Sequence, residues 1–146
     1  MATTTDTTTS AATTSATTTN TALQLKTLSP ALTVDDLQKS IKFFEGLGFS
    51  ISERWENDGV LFGVMIRAGD IEFGLNQDDW KKGRDRQKGV GIRLYVTTTQ
   101  DVNAIAARAT AAGISLESEP HDTEWGSRAF DVIEPSGFRL TIASHV

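Results

Sequence analysis

The chain states one structural unit twice. Residues 31–49 read ALTVDDLQKSIKFFEGLGF and residues 92–116 read IRLYVTTTQDVNAIAARATAAGISL. Each copy runs from an apolar strand through an Asp at a helix start and an amphipathic helix to a Gly and a further strand. A duplicated unit of this kind has to bury two helical stripes against two sheets, and it leaves a cleft where the copies meet.

The pattern within each copy is explicit. From Leu25 onward, Leu28, Pro30, Leu32 and Val34 alternate with Thr27, Ser29, Ala31 and Thr33, which predicts a strand with one apolar face. Asp35 or Asp36 supplies an N-cap, Leu37, Ile41, Phe44 and Leu47 fall at helical spacing, and Gly46 and Gly48 stop the helix. Strands follow at 49–55, 60–68 and 71–76, separated by Asn57-Asp58-Gly59 and Gly69-Asp70 turns. The second copy repeats the order: a strand at 90–96, a helix at 101–112 with Val102, Ile105 and Ala109 inward, and strands at 114–118, 127–133 and 138–143. The expected fold is therefore α+β, with two βαβββ modules and a cleft between them. Its halves are 23–76 and 90–146, joined by a polar linker at 77–89 that reads as a solvated loop.

Composition removes several function classes. The 146 residues hold no Cys, which excludes disulfides and thiolate chemistry. The net charge of -5 comes with interspersed cations, and its nearest approach to a basic patch, at 81–88, is short and broken by Asp85, so neither nucleic acid nor an anionic membrane is an expected partner. No apolar run approaches the roughly 18 residues of a spanning helix, and a soluble, cytoplasmic protein is expected. Residues 1–22 are almost entirely Thr, Ala and Ser and should form a disordered tail, leaving 23–146 as one domain.

The run Val34-Asp35-Asp36-Leu37-Gln38-Lys39-Ser40-Ile41-Lys42-Phe43-Phe44 with Leu47-Gly48-Phe49, followed by Trp125-Gly126-Ser127-Arg128 and Glu134-Pro135-Ser136-Gly137-Phe138, resembles the vicinal oxygen chelate superfamily of glyoxalases, bleomycin resistance proteins and extradiol dioxygenases. The similarity covers residues 25–144. It implies that the two βαβββ modules form a curved mixed sheet around a cleft, with a small-molecule ligand in that cleft and a homodimer. Metal-dependent members carry His or Glu on four inner strands, and those places fall here on Ser29, Gly74, Gly91 and Thr141. None is a good divalent-metal ligand, so no metal and no cofactor are expected. His121 and His145, with Glu119 or Glu124, would need unusual chain geometry to converge.

Strand parity supplies a separate reading of the cleft. If Phe73, Leu75, Leu94, Val96, Leu140 and Ile142 face the helices, then Glu72, Asn76, Arg93, Tyr95, Arg139 and Thr141 face the cleft, with Ser29, Ala31 and Thr33 beside them. The small Gly74, Gly91 and Ala143 would leave volume there. Arg93 is either a fork for a planar acceptor or half of an internal pair with Glu72. Tyr95 either orients a polar ligand or packs. Trp55, Phe62, Trp80 and Trp125 offer apolar walls, Trp125 foremost by resemblance, and Arg128 either borders the groove or pairs with Glu124.

The function expected from the resemblance is metal-independent binding or sequestration of a small organic compound. The alternatives are a metal-dependent lyase, isomerase or dioxygenase of the glyoxalase type, a metal-free enzyme using Glu72 or Tyr95 as acid or base, and a structural partner module.

Overall fold

The computed structural model describes residues 21–145. Most of the expected tail therefore lies outside the described residues. The element order is β1 (Ala31–Val34), α1 (Leu37–Leu47), β2 (Ser50–Asn57), β3 (Val60–Ala68), β4 (Ile71–Gln77), β5 (Arg93–Thr98), α2 (Val102–Ala111), β6 (Leu116–Asp122), β7 (Arg128–Ile133) and β8 (Arg139–Ser144). The fold is α+β and each half is a βαβββ module. Each module forms a four-stranded mixed sheet, ordered β1-β4-β3-β2 and β5-β8-β7-β6. In both, the first strand pairs in parallel with the last, and the remaining pairings are antiparallel.

The helix ends follow from local chemistry. Asp36 is the N-cap of α1 and its Oδ1 accepts from Lys39 N at 3.2 Å, while Gly48 at φ 113° closes the helix and donates to Glu45 O. Gly46 does not stop the helix. It lies within α1, where a Cβ would sit 2.9 Å from Ile114 Cδ1 and 3.0 Å from Ala112 Cβ, so the missing side chain lets the two modules close on each other. Asp101 caps α2, which buries Val102, Ala106 and Ala109, with Ile105 partly buried against the same core.

One apolar cluster runs through both modules, from Leu32, Val34, Phe44 and Phe73 in the first to Phe130, Val132, Leu140 and Ile142 in the second. Phe44, Phe49 and Phe73 meet edge to face with centroids 5.3 to 5.5 Å apart. A buried carboxylate bridges the modules. Glu134, at the end of β7, takes a short hydrogen bond from the Ser40 hydroxyl of α1 and another from Ser136 N at 2.7 Å, and Asp35 N donates to Ser136 Oγ at 2.8 Å.

The largest differences from the expected boundaries fall in three strands. β1 begins only at Ala31: Pro30 accepts from Gly74 N at 2.8 Å but has no N–H to continue a ladder, and Leu23, Leu25 and Leu28 upstream are exposed. β5 begins at Arg93 rather than residue 90, because Gly89 and Gly91 have positive φ and Gly89 lies hard against the backbone of Gly137. β6 runs through Pro120 to Asp122, as an edge strand with register shifts can.

The linker is anchored rather than solvated. Lys88 has a side chain 5% exposed, and its Nζ bonds Asp35 and, at 2.9 Å, Asp78, whose side chain is 4% exposed. Asp78 also pairs with Arg86 at 3.3 Å and accepts from Trp80 N at 2.8 Å, and Lys88 and Arg84 lie over the Trp80 ring. Hydrogen bonding to Lys88, then to the Trp80 amide, holds the Asp78 carboxyl below the usual carboxylate range. Burial works against the Lys88 charge, but the bonds to Asp35 and Asp78 outweigh it and hold its pKa above that of an ordinary lysine.

Candidate functional site

With Phe73, Leu75, Leu140 and Ile142 buried toward the helices, the opposite face of each sheet is left open. On the second sheet that face carries a continuous polar row. Arg93 on β5 donates through Nη1 to Thr141 Oγ1 on β8 at 2.7 Å and to Asp131 Oδ1 on β7 at 3.1 Å. The Thr141 hydroxyl in turn donates a hydrogen bond to Asp131 Oδ1 at 2.5 Å, and Ser118 on β6 donates to Asp131 Oδ2 at 2.8 Å. All four strands thus contribute to one carboxylate. Burial pushes Asp131 up, but the hydroxyls of Thr141 and Ser118 and the charges of Arg93 and His121 outweigh it and hold the group below the ordinary aspartate range.

Beside this row, Trp125 Nε1 donates to the Tyr95 hydroxyl at 3.2 Å, and both rings are exposed, Trp125 at 63% and Tyr95 at 46%. His121 stands opposite Ala129 in the β6–β7 ladder, and its Nδ1 contacts Glu119 O at 2.8 Å. The face therefore offers an anionic acceptor, a guanidinium whose other nitrogens form no hydrogen bond within the described residues, a phenol and an indole. That set can orient a polar ligand and stack a flat one.

The first sheet's open face is organised around Trp55. Its ring covers Gly63 and Gly74: a Cβ at Gly63 would lie 2.7 Å from Trp55 Cε3, and one at Gly74 would lie 3.4 Å from Trp55 Cη2. Asn76 borders the same ring across Gly63, and Trp55 Nε1 donates to Glu53 at 2.8 Å. The volume expected at Gly74 is thus filled from within the chain.

The sequence candidates divide between these faces. Arg93, Tyr95, Arg139, Thr141 and Trp125 belong to the second sheet, and Trp55, Glu72 and Asn76 to the first; no hydrogen bond or ion pair joins the groups among the described residues. Glu72 is not the partner of Arg93. It pairs with Arg67 at 3.3 Å and accepts from Ser52 at 2.8 Å, because β4 lies beside β3 in the other sheet. Phe62 has no partner in the β2–β3 ladder, where Trp55 pairs with Gly63 and Glu56 with Leu61; this bulge leaves its ring 47% exposed. Arg128 neither borders the groove nor pairs with Glu124. It shares parity with the buried Phe130 and binds Asn103 of α2 at 2.9 Å, Asp122 at 3.0 Å and Pro120 O at 3.3 Å. Trp80 belongs to the linker.

Asp131 is the residue that sequence reasoning missed. The available signal was the alternation of β7, where Phe130 and Val132 flank a lone carboxylate.

The places that hold metal in metal-dependent relatives do not fit a metal here. Ser29 lies outside β1, Gly74 is covered by an indole, Gly91 lies in the turn before β5, and the Thr141 hydroxyl is engaged by Arg93 and Asp131. Among the described residues no three His, Asp or Glu side chains converge as a metal site. No helix among them is long and apolar enough to cross a membrane.

With duplicated modules, open sheet faces and this polar row established, the chain is assigned to a class: residues 26–142 match the family model of the Glyoxalase/Bleomycin resistance protein/Dioxygenase superfamily, and the chain belongs to that family. The fold is similar to that of TioX from Micromonospora sp. ML1, with TM-score 0.66 and 18% identity over 83% of this chain and 100% of that one. It is likewise similar to a superfamily member from Sphaerobacter thermophilus, with TM-score 0.65 and 20% identity over 84% and 100% of the two chains. A virulence protein of Salmonella typhimurium, STM3117, aligns with TM-score 0.62 and 21% identity over 85% and 100%. No curated protein matches the chain.

Proposed function

We propose that the protein binds or sequesters a small organic compound without a metal, in the manner of the bleomycin-resistance type, on the open face of the second sheet. The observation that carries this reading is the row Ser118–Asp131–Thr141–Arg93, laid beside the exposed Tyr95–Trp125 pair. Evolved ligand sites combine apolar walls with a few fixed polar groups, and this face has both, with the polar groups held by one another before any ligand arrives. A second copy of the chain is the proposed partner: it would lay its first-sheet face, centred on Trp55, over this one and complete the cleft in an isologous dimer.

The alternative of acid–base catalysis by Glu72 or Tyr95 has less behind it. Glu72 is committed to Arg67 and Ser52, and the Tyr95 oxygen accepts from Trp125.

Native mass spectrometry of gently purified protein tests the proposal. The expected spectrum is a dimer carrying a small organic molecule that Trp125→Ala releases, with elemental analysis showing less than stoichiometric metal. One Zn, Fe, Ni or Mn per chain, or a ligand indifferent to Tyr95 and Trp125, would overturn it. A ligand at about a hundred times its dissociation constant should stabilise the protein by roughly 2.7 kcal/mol.

A further inference from the structure

Arg93 and Arg139 occupy the same register position on the adjacent parallel strands β5 and β8, so two guanidiniums project side by side from one face. Like charges so placed repel. Each is partly offset by one carboxylate, Asp131 for Arg93 and Glu117 for Arg139, and both side chains remain well exposed, at 46% and 41%. Only Nη1 of each is engaged among the described residues. Nε and Nη2 of both remain available, which is the edge a guanidinium uses to hold an oxyanion with two parallel bonds.

Both arginines line a pocket of about 550 Å³ whose other walls are Lys88 to Ile92 and Gly137. Neither Asp131 nor Glu117 lines it, so a ligand there meets the guanidiniums directly while the carboxylates only temper their charge. Gly91 lines the pocket as part of the turn before β5, with φ at 77° and open space beside its Cα. Val90 and Ile92 are exposed at 73% and 48%, and they form an apolar lip beside the charged floor. The backbone that carries this lip is fixed, since Gly89 is pinned against Gly137 and Lys88 is buried in its ion pairs.

We infer that this pocket selects the ligand's chemical class: an amphiphilic organic anion, whose carboxylate or phosphonate lies across Arg93 and Arg139 and whose apolar body rests on Val90 and Ile92. The inference deepens the binding reading above and rests on it through Arg93, which belongs to both the polar row and this pocket, whereas Tyr95 and Trp125 lie outside the pocket's walls.

Calorimetric titration with octanoate, octylphosphonate and octanol tests it. Both acids should bind at least tenfold tighter than octanol, and their affinity should fall as salt rises. Arg139→Met should weaken the acids by about ten- to a hundredfold, the range for loss of a charge-assisted hydrogen bond, while leaving octanol unchanged. Ile92→Ser should reduce the gain from acetate to octanoate without changing acetate itself. Circular dichroism confirms that both variants fold. The inference is overturned if octanol binds as tightly as the acids, if none of the three binds, or if folded Arg139→Met keeps full affinity for octanoate. The broader reading is judged on the co-purified molecule and on Trp125, without these probes, so the two fail separately.

Discussion

The guanidinium of Arg93 reaches over β8 to place Nη1 3.1 Å from Oδ1 of Asp131, and the Thr141 hydroxyl between them touches both. The carboxylate is the hub of this group and the arginine its exposed limb.

Unequal costs of substitution follow. Asp131→Ala leaves Thr141, Ser118 and Arg93 without their common acceptor and should lower unfolding free energy by about 1–3 kcal/mol. Arg93→Met removes one half-exposed pair and should cost less than about 1 kcal/mol. Urea denaturation of the two variants decides the order; a larger loss for Arg93→Met would make the arginine the structural member.

The linker's ion pairs and the Asp131 cluster together predict a two-sided pH dependence. The carboxyls of Asp78 and Asp131 titrate lower folded than unfolded, so their contribution is present above about pH 4 and is lost as pH falls through their folded values. Lys88 titrates higher folded than unfolded, so its contribution holds below about pH 10.4 and is lost as pH rises through the folded value. Urea midpoints measured across pH should fall at both ends. Lys88→Met should abolish the alkaline fall and flatten the acid one; an unchanged profile would remove the linker from the stability account.

Trp55 depends on two missing side chains. Gly63→Ala would set a Cβ 2.7 Å from Trp55 Cε3 and 3.0 Å from Leu75 O, a backbone atom that cannot swing aside. The expected loss is about 1–3 kcal/mol, as for overpacking, together with a change in tryptophan fluorescence as the indole is displaced. Gly59→Ala, at φ 76° with nothing within 4 Å, is the contrast: its cost should come from backbone strain alone and leave the tryptophan fluorescence unchanged.

The Ser40–Glu134 contact ties the first helix to the second module. Ser40→Ala leaves a buried carboxylate oxygen without its donor and should cost about 1–3 kcal/mol in thermal or urea unfolding. Stability equal to wild type would show that water replaces the hydroxyl.

Much of the fold was legible because the governing patterns are local. Asp36 before Leu37, Gly48 after Leu47, and the alternation of β4, β5 and β8 each encode an element with its inward face, and Phe73, Leu75, Leu140 and Ile142 are buried accordingly. Partnerships were not legible, since they depend on strand order. Nothing in the neighbours of Arg93 reveals that β7 rather than β4 lies within its reach, which is why Glu72 stood in for Asp131. Parity applied to β7 would have exposed Asp131 as a cleft residue. The bulge at Phe62 and the indole over Gly74 lay beyond that argument, because alternation assumes an unbroken register and says nothing of a ring reaching across two neighbouring strands.

The buried Lys88 has a wider consequence for the duplicated architecture. Its ammonium bonds Asp35 at the start of the first helix, and its backbone lies against Gly137 in the last hairpin, so the connector is fastened to each repeat. Repeats joined by a slack tether keep their autonomy: either can melt, be excised or be traded with a neighbour while the other persists. Here the connector's conformation depends on both repeats at once, through charge with the first and backbone packing with the second, so loosening either contact loosens the joint between them.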